Sequence, residues 1–394
     1  MSPYAWYVAA AGTWFLAFGL QGVIVATIVA MHLHGDSRDM SIAQMAQQLP
    51  GFGLILLGGA VADRVDKRAL LIALYAAAAL LVVALGLGAE LGWLSLPVVI
   101  GFVLAMGTLS AFVMPSRDAL LSDVVVGGLM RAITMMTLIQ FAMQALGSVL
   151  GVAGRYVGIL PLIGLQAAVL LAGVPALLRL PRPAPTDPDA RRALRFGELA
   201  DGVREVARSP VLGPVALLSI ALGSLFIGPF QVVFPLLVRD FYKGDVADLS
   251  LLYTAFPIGT IAGSALILLR GGVRRKGAAQ LLALGGGALC IGSLGLGPPF
   301  WGALLMTVLF GVGGAFFMNA GRTLFQEHAT PASRGRVLSV YALTFMGASA
   351  VIGAPLAGWL HAQLGPLGAC LACAAMMLVV VGTMTVATDI RKLV

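Results

Sequence analysis

Gly58-Gly59-Ala60-Val61-Ala62-Asp63-Arg64-Val65-Asp66-Lys67-Arg68-Ala69-Leu70 separates two apolar runs, each long enough to cross a bilayer. So short a connection makes the flanking helices antiparallel neighbours. Asp63 ends the first helix, where a carboxylate meets the negative end of the helix dipole and calls for a cation or another helix's N-terminus. Arg64, Lys67 and Arg68 follow, a basic cluster of the kind that marks the cytoplasmic side.

Working outward, the whole composition is that of a membrane protein. Of 394 residues, 59% are hydrophobic and only 11% charged, less than half of a soluble domain's roughly 25%. The net charge of +8 is spread over short loops, which excludes a nucleic-acid footprint. The three cysteines lie in apolar runs and give no disulfide framework; Cys370 and Cys373 read as small core residues. The first apolar run is too long for a signal peptide and reads as an uncleaved spanning helix.

Twelve apolar segments are expected to span, near 6–31, 42–62, 69–89, 97–116, 132–154, 158–178, 211–237, 249–269, 277–296, 300–320, 337–360 and 367–387. With both termini cytoplasmic, 21 of the 25 Lys and Arg residues fall on the inner side, leaving only Arg38, Arg155, Arg239 and Lys243 outside. Between spans six and seven, Pro181, Pro183, Pro185 and Pro188 interrupt any helix. Arg191 to Ser209 then carries Phe196, Leu199, Val203 and Val206 at helical spacing, an amphipathic helix expected along the inner membrane surface. The domains are therefore 1–179, a linker 180–209, and 210–394. A shift of 204 residues pairs Gly19 with Gly223, Gly59 with Gly263, Gly107 with Gly311 and Gly154 with Gly358, an internal repeat of the kind that builds secondary transporters. In the second half the Asp-Arg pair of the opening stretch is replaced by Ile267 and Leu268, leaving what reads as a relic followed by Arg270, Arg274, Arg275 and Lys276.

The opening stretch resembles the signature loop of the major facilitator superfamily, Gly-x-x-x-Asp-Arg-x-Gly-Arg-Arg, through Gly59, Asp63, Arg64, Lys67 and Arg68. Asp66 replaces the family's second glycine, and as a residue tolerant of left-handed backbone it is expected to preserve the turn. Pro115-Ser116-Arg117-Asp118-Ala119-Leu120 and Arg334-Gly335-Arg336 resemble motifs of the branch that holds macrolide and siderophore exporters. The resemblance implies an all-α integral membrane protein of twelve transmembrane helices in two pseudo-symmetric six-helix bundles, with the signature loop as a cytoplasmic gate. Arg117, Asp118 and Asp123 are the expected charge partners in that gate, the two carboxylates reaching Arg64 and clustering with Asp63.

No span carries a carboxylate near its middle, where an ion or proton pathway usually shows one. GxSxG, HExxH and P-loop motifs are absent, which argues against an enzyme. His32 and His34, two apart on a helix, face different ways and are not read as a metal pair. The polar groups at depth are uncharged: Gln21, Gln140, Gln144, Gln166, Gln231, Tyr253, Asn319 and Tyr341. Helix-to-helix hydrogen bonding explains such groups; the resemblance instead implies that Gln21, Gln140, Gln144, Gln231, Tyr253, Asn319 and Tyr341 lie in or beside a substrate cavity. Phe15, Phe18, Phe226, Phe230, Phe234, Phe316 and Phe317 in the same helices suit a lipophilic or amphipathic substrate.

The resulting expectation is a monomeric efflux transporter of a bacterial-type inner membrane, exporting such a small molecule, with no cofactor and with proton entry as its drive. The proton carrier is then Asp63, Asp118 or Asp123 inside, or Asp36 or Asp39 outside. Movement of lipid or lysolipid, an uncoupled facilitator, and a non-transporting sensor are the alternatives.

Overall fold

A computed structural model describes residues 2–125, 129–181, 196–329 and 334–393. Several side chains within these ranges, those of Gly59, Asp63, Arg64, Arg131 and Arg334–Arg336 among them, lie outside the description, as do Pro183, Pro185, Pro188 and the start of the expected linker helix.

The described residues form helices and no strand. The spans of the first half are Pro3–His32, Ser37–Arg64, Lys67–Glu90, Leu96–Val124, Leu129–Leu150 with its extension to Val157, and Ile159–Leu178. Those of the second are Leu212–Phe241, Val246–Leu269, Lys276–Leu294, Phe300–His328, then Arg334–Ala348 continued through a π-helical turn, and finally the part of Ala354–Ala387 beyond a break at Gly365. Among the described residues ten helices are long and apolar enough to cross a membrane; adding Ser37–Arg64 and dividing Val340–Ala387 at Gly365 gives the expected twelve. Gly365 makes the break with φ 67°, as Gly158 does with φ 79° between spans five and six.

Three π-helical turns in the second half, Gly223–Ile227, Leu237–Phe241 and Ser349–Gly353, abut Pro229, Pro235 and Pro355. A proline removes an N–H from the helical ladder, and a one-residue widening lets neighbouring groups re-pair. Many leucines on the spans are exposed, Leu282 at 76% and Leu289 at 65% among them, as suits helices surrounded by hydrocarbon.

The chain forms two compact units. One gathers Met1–Gly35, Ala46–Ala193 and Gly244–Thr254; the other gathers Asp36–Met45, Leu194–Lys243 and Ala255–Val394. Each sequence half thus lends the first turns of one helix, span two or span eight, to the other half's unit. Within the first unit, span one packs on spans five and six, and span three on four and six. Within the second, span nine packs on ten and twelve.

The repeat is real but has two offsets. Gly107 of span four lies against the Gln47 carbonyl and Gly311 of span ten against the Phe256 carbonyl; a Cβ on either glycine would come within 2.1 Å of that oxygen. Gly107 and Gly311 are 204 residues apart, but Gln47 and Phe256 are 209 apart. The ninth span, at 19 residues, is five shorter than the third, at 24. Spans two and three pair with spans eight and nine at 209 up to that point, so Gly59 corresponds to Leu268, not to Gly263.

The linker helix is Phe196–Arg208. It buries Gly202 and Val206 and packs on the eleventh span, while Val203 is 49% exposed. Only part of its apolar stripe therefore faces protein.

Candidate functional site

At the span ends that adjoin Lys67 and Lys276, each unit carries an ion pair between neighbouring spans. Lys67 Nζ at the start of span three lies 2.8 Å from Asp123 Oδ2 at the end of span four. Lys276 Nζ at the start of span nine lies 2.7 Å from Glu327 Oε2 at the end of span ten. The lysines are 209 residues apart and the acids 204, so these pairs are repeat mates. The second half's loop, read as a relic, retains this contact. Asp123 answers Lys67, and Asp118 Oδ1 lies 3.3 Å from its neighbour Arg117; the expected cluster with Asp63 and Arg64 lies outside the described residues. The buried Arg117 guanidinium lies 4.4 Å from the centroid of the Phe15 ring, and Tyr7 Oη donates to its carbonyl at 3.0 Å. Arg68 donates to the Leu178 carbonyl at the end of span six. Gly59, Asp63 and Arg64 keep their places on span two, but their side chains lie outside the description.

Asp66 departs from expectation. Its φ is −60°, not left-handed; it is the N-cap of span three, its Oδ1 accepting from the N–H groups of Arg68 and Ala69 at 2.9 and 3.2 Å. A carboxylate at a helix N-terminus answers both the unpaired N–H groups and the dipole.

The opposite ends of the spans carry a second repeated pattern, one the sequence alone did not reveal. Asp36 and Asp39 begin span two as a reciprocal cap: Asp36 Oδ1 accepts from the Asp39 N–H, and Asp39 Oδ2 from the Asp36 N–H. Asp245 and Asp248, each 209 residues on, do the same at span eight. Arg155, closing span five, grips the second cap. Its Nε and Nη2 donate to the Asp245 carboxylate at 2.5 and 2.8 Å, and Nη2 also reaches Asp248 Oδ2 at 3.1 Å. This fork holds the Asp245 carboxyl below the usual range. Gly154 beside it packs on Val246, and its repeat mate Gly358 packs on Ser37 and Ser41 at the start of span two. Ser41 Oγ donates to the Ala354 carbonyl at 2.8 Å. An Asp-x-x-Asp at two helix starts, 209 residues apart, was the available signal.

The uncharged polar residues divide between the units. In the first, Gln166 Nε2 donates to Gln21 Oε1 at 3.2 Å with both side chains buried. A void of about 10 Å³ beside Gln21, lined also by Trp14, Phe18 and Ser110, has room for one water molecule. Gln140 and Gln144 are half-buried, and Tyr253 is buried in the same unit. In the second, Gln231 is half-buried, Asn319 Nδ2 donates to the Ala315 carbonyl of its own helix at 2.8 Å, and Tyr341 stacks on Phe325 at 4.8 Å. Of the seven phenylalanines, Phe15, Phe226, Phe234 and Phe317 are buried at 4%, 1%, 0% and 1% exposure. Those four pack the units internally, which weakens any inference from them to a lipophilic cavity; Phe18, Phe230 and Phe316 keep open surface.

A helical chain whose repeated six-span halves trade helix tips at one end and keep mated ion pairs at the other has the build of a polytopic transporter. The Major Facilitator Superfamily family model matches residues 8–347, and the chain belongs to that family. Among curated relatives, the enterobactin exporter EntS of Citrobacter koseri is 27% identical over 366 residues, covering 89% of this chain and 83% of that one. The enterobactin exporter EntS of Escherichia coli O81 matches at the same identity and coverage. Among solved structures, the nucleoside transporter NupG superposes with a TM-score of 0.76 at 13% identity, over 98% of this chain and 99% of that one. A bacterial homologue of the human lysosomal transporter Spinster gives 0.66 at 16%, over 99% and 97%. These likenesses share the fold. The protein is a multi-pass membrane transporter, not an enzyme.

Proposed function

We propose that this transporter exports an amphipathic small molecule of the size and polarity of a siderophore, by alternating access, with proton entry as its drive. The protein works as a monomer in a bacterial-type inner membrane with both termini cytoplasmic, and it needs no cofactor. Residues 1–179 and 210–394 act as the two moving bundles, with 180–209 linking them.

One observation carries the reading. Breakable polar contacts occur in repeat-related sets at both ends of the helices: Lys67–Asp123 and Lys276–Glu327 inside, Arg155–Asp245–Asp248 and Ser41–Ala354 outside. The outer set joins segments from opposite sequence halves. Alternating access needs contacts that form on one face while their counterparts release on the other, and ion pairs open to water exchange partners at small cost. The substrate class follows from relatives named enterobactin exporters. The uncharged polar groups Gln140, Gln144, Gln231 and Asn319 suit a molecule recognised by hydrogen bonds rather than by charge pairing.

The test is accumulation of enterobactin in proteoliposomes under an imposed pH gradient, with Asp63→Asn and Lys67→Gln alongside. Gradient-driven accumulation that both variants lose is the expected result. Enterobactin movement indifferent to the gradient would identify a facilitator.

A further inference from the structure

The two outer contacts are repeat mates with different chemistry. At the fifth span, permanently charged Arg155 grips the cap of span eight. At the eleventh, the position 204 residues after Arg155 is Trp359, and two residues on stands His361, the mate of Val157. His361 lies in the last turns of the eleventh span, between its π-helical turn and the break at Gly365. Its side chain is 13% exposed, and its Nε2 is buried with no hydrogen-bond partner. That nitrogen faces Asp240 Oδ2 at 3.9 Å, too far for a hydrogen bond.

Asp240 stands in the π-helical turn Leu237–Phe241 that ends span seven. Arg239 Nε and Nη2 donate to its two oxygens at 2.5 and 2.9 Å. π turns recur at functional sites because they aim side chains that a regular helix would not. The charged groups that act on His361 come from each element around it: Asp240 and Arg239 from span seven, and Asp36 from the start of span two. Histidine is the side chain whose charge changes within the range a transmembrane pH difference spans. Among the described residues, the midplane of the spans offers no carboxylate for this task.

We propose that His361 is the proton-accepting group of this transporter, loaded from the outer face, with Asp240 as its counter-ion. The assignment rests on the proton-driven reading above and names its site. The neutral ring takes a proton from outer water onto the Nε2 lone pair. The new N–H closes on Asp240 Oδ2 and competes with Arg239 for that oxygen. The change falls two residues beyond Trp359 and one turn from Gly358, where the eleventh span packs on Ser37 and Ser41. Loading therefore adds charge at one outer contact, while Arg155 keeps the other constant. Deprotonation toward the inner side would complete the cycle with one proton moved.

The experiment uses full-length protein in lipid nanodiscs, with ¹⁵N-labelled histidine and NMR titration. Four histidines give four ring signals, and His361→Gln identifies the one that belongs to residue 361. That ring is expected to gain a proton as the pH falls from neutral into the mildly acid range. Asp240→Asn should move its midpoint by about one pH unit toward acid. A ring that does not titrate in this window, or whose midpoint ignores Asp240→Asn, overturns the assignment. The other three histidine signals report whether each variant is folded. In proteoliposomes, His361→Gln should accumulate no more enterobactin than empty vesicles do under a pH gradient, yet pass it down its own gradient at the wild-type rate. Accumulation that survives His361→Gln overturns the assignment and leaves the exporter intact. A wild type that ignores the pH gradient removes the proton-driven reading, and the assignment with it.

Discussion

Arg155→Ala removes three hydrogen bonds to two carboxylates at the Val157 end of span five, the outer end in the proposed orientation. The Arg155 and Asp245 side chains are 43% and 46% exposed, so water screens the contact heavily. Such a clamp shifts the population of opened ends only modestly, by a factor of about five. Ser250 reports that opening. It is fully buried one turn below the clamp, its Oγ donating to the Val246 carbonyl at 2.6 Å and lying against Gly151. Ser250→Cys, with Cys290, Cys370 and Cys373 replaced, can be labelled from outside by a membrane-impermeant thiol reagent. Arg155→Ala should raise the labelling rate about fivefold, and Arg155→Glu by more, since it turns attraction into repulsion. Molar salt should raise the wild-type rate toward the variant's, because the Debye length falls to about 3 Å. An unchanged rate in Arg155→Ala at low salt would refute the idea that this contact holds the outer end.

The same clamp predicts a pH dependence. Arg155's hydrogen bonds lower the Asp245 pKa from the ordinary carboxylate value of 3.8, so the clamp's stabilisation is complete above that value and is lost as the pH falls through the depressed one; the melting difference between wild type and Arg155→Ala should be level down to about pH 4 and shrink below it. Gly107→Val and Gly311→Val should destabilise alike, each by about 1–3 kcal/mol, because a Cβ would meet a carbonyl 2.1 Å away in both; paired melting curves check this, and a loss at only one position would contradict the two-offset repeat. Gln280 is fully buried with neither amide atom hydrogen-bonded, so Gln280→Leu should leave stability unchanged or raise it by about 1 kcal/mol, measured by thermal unfolding in detergent.

Much of this fold was legible because hydrocarbon imposes a coarse rule. Twenty or so apolar residues between charged loops can hardly be anything but a span, and the structure has twelve. The internal repeat was also legible, but one offset of 204 could not hold once the ninth span lost five residues relative to the third. The site was harder to see. Lys67 and Asp123 are 56 residues apart, and Arg155 and Asp245 are 90 apart, so no local pattern records that they meet. The outer arginines entered only as exceptions to the positive-inside count. Phe226 and Phe234 show a related limit: an aromatic residue in an apolar helix carries no mark distinguishing core, lipid or cavity face, and these two are core. Asp66 misled because its residue type fits both a left-handed turn and an N-cap, and only the backbone angles decide.

Proton-driven export is tested most directly by the proton itself. Wild-type protein is reconstituted in vesicles enclosing a pH-sensitive dye, with a pH step across the membrane and no enterobactin. Enterobactin is then added on one side and the dye is followed. If the account is right, addition collapses the pH step at a rate that scales with enterobactin movement, and His361→Gln abolishes the dye response without stopping downhill flux. Enterobactin movement with no dye response in the wild type would contradict it.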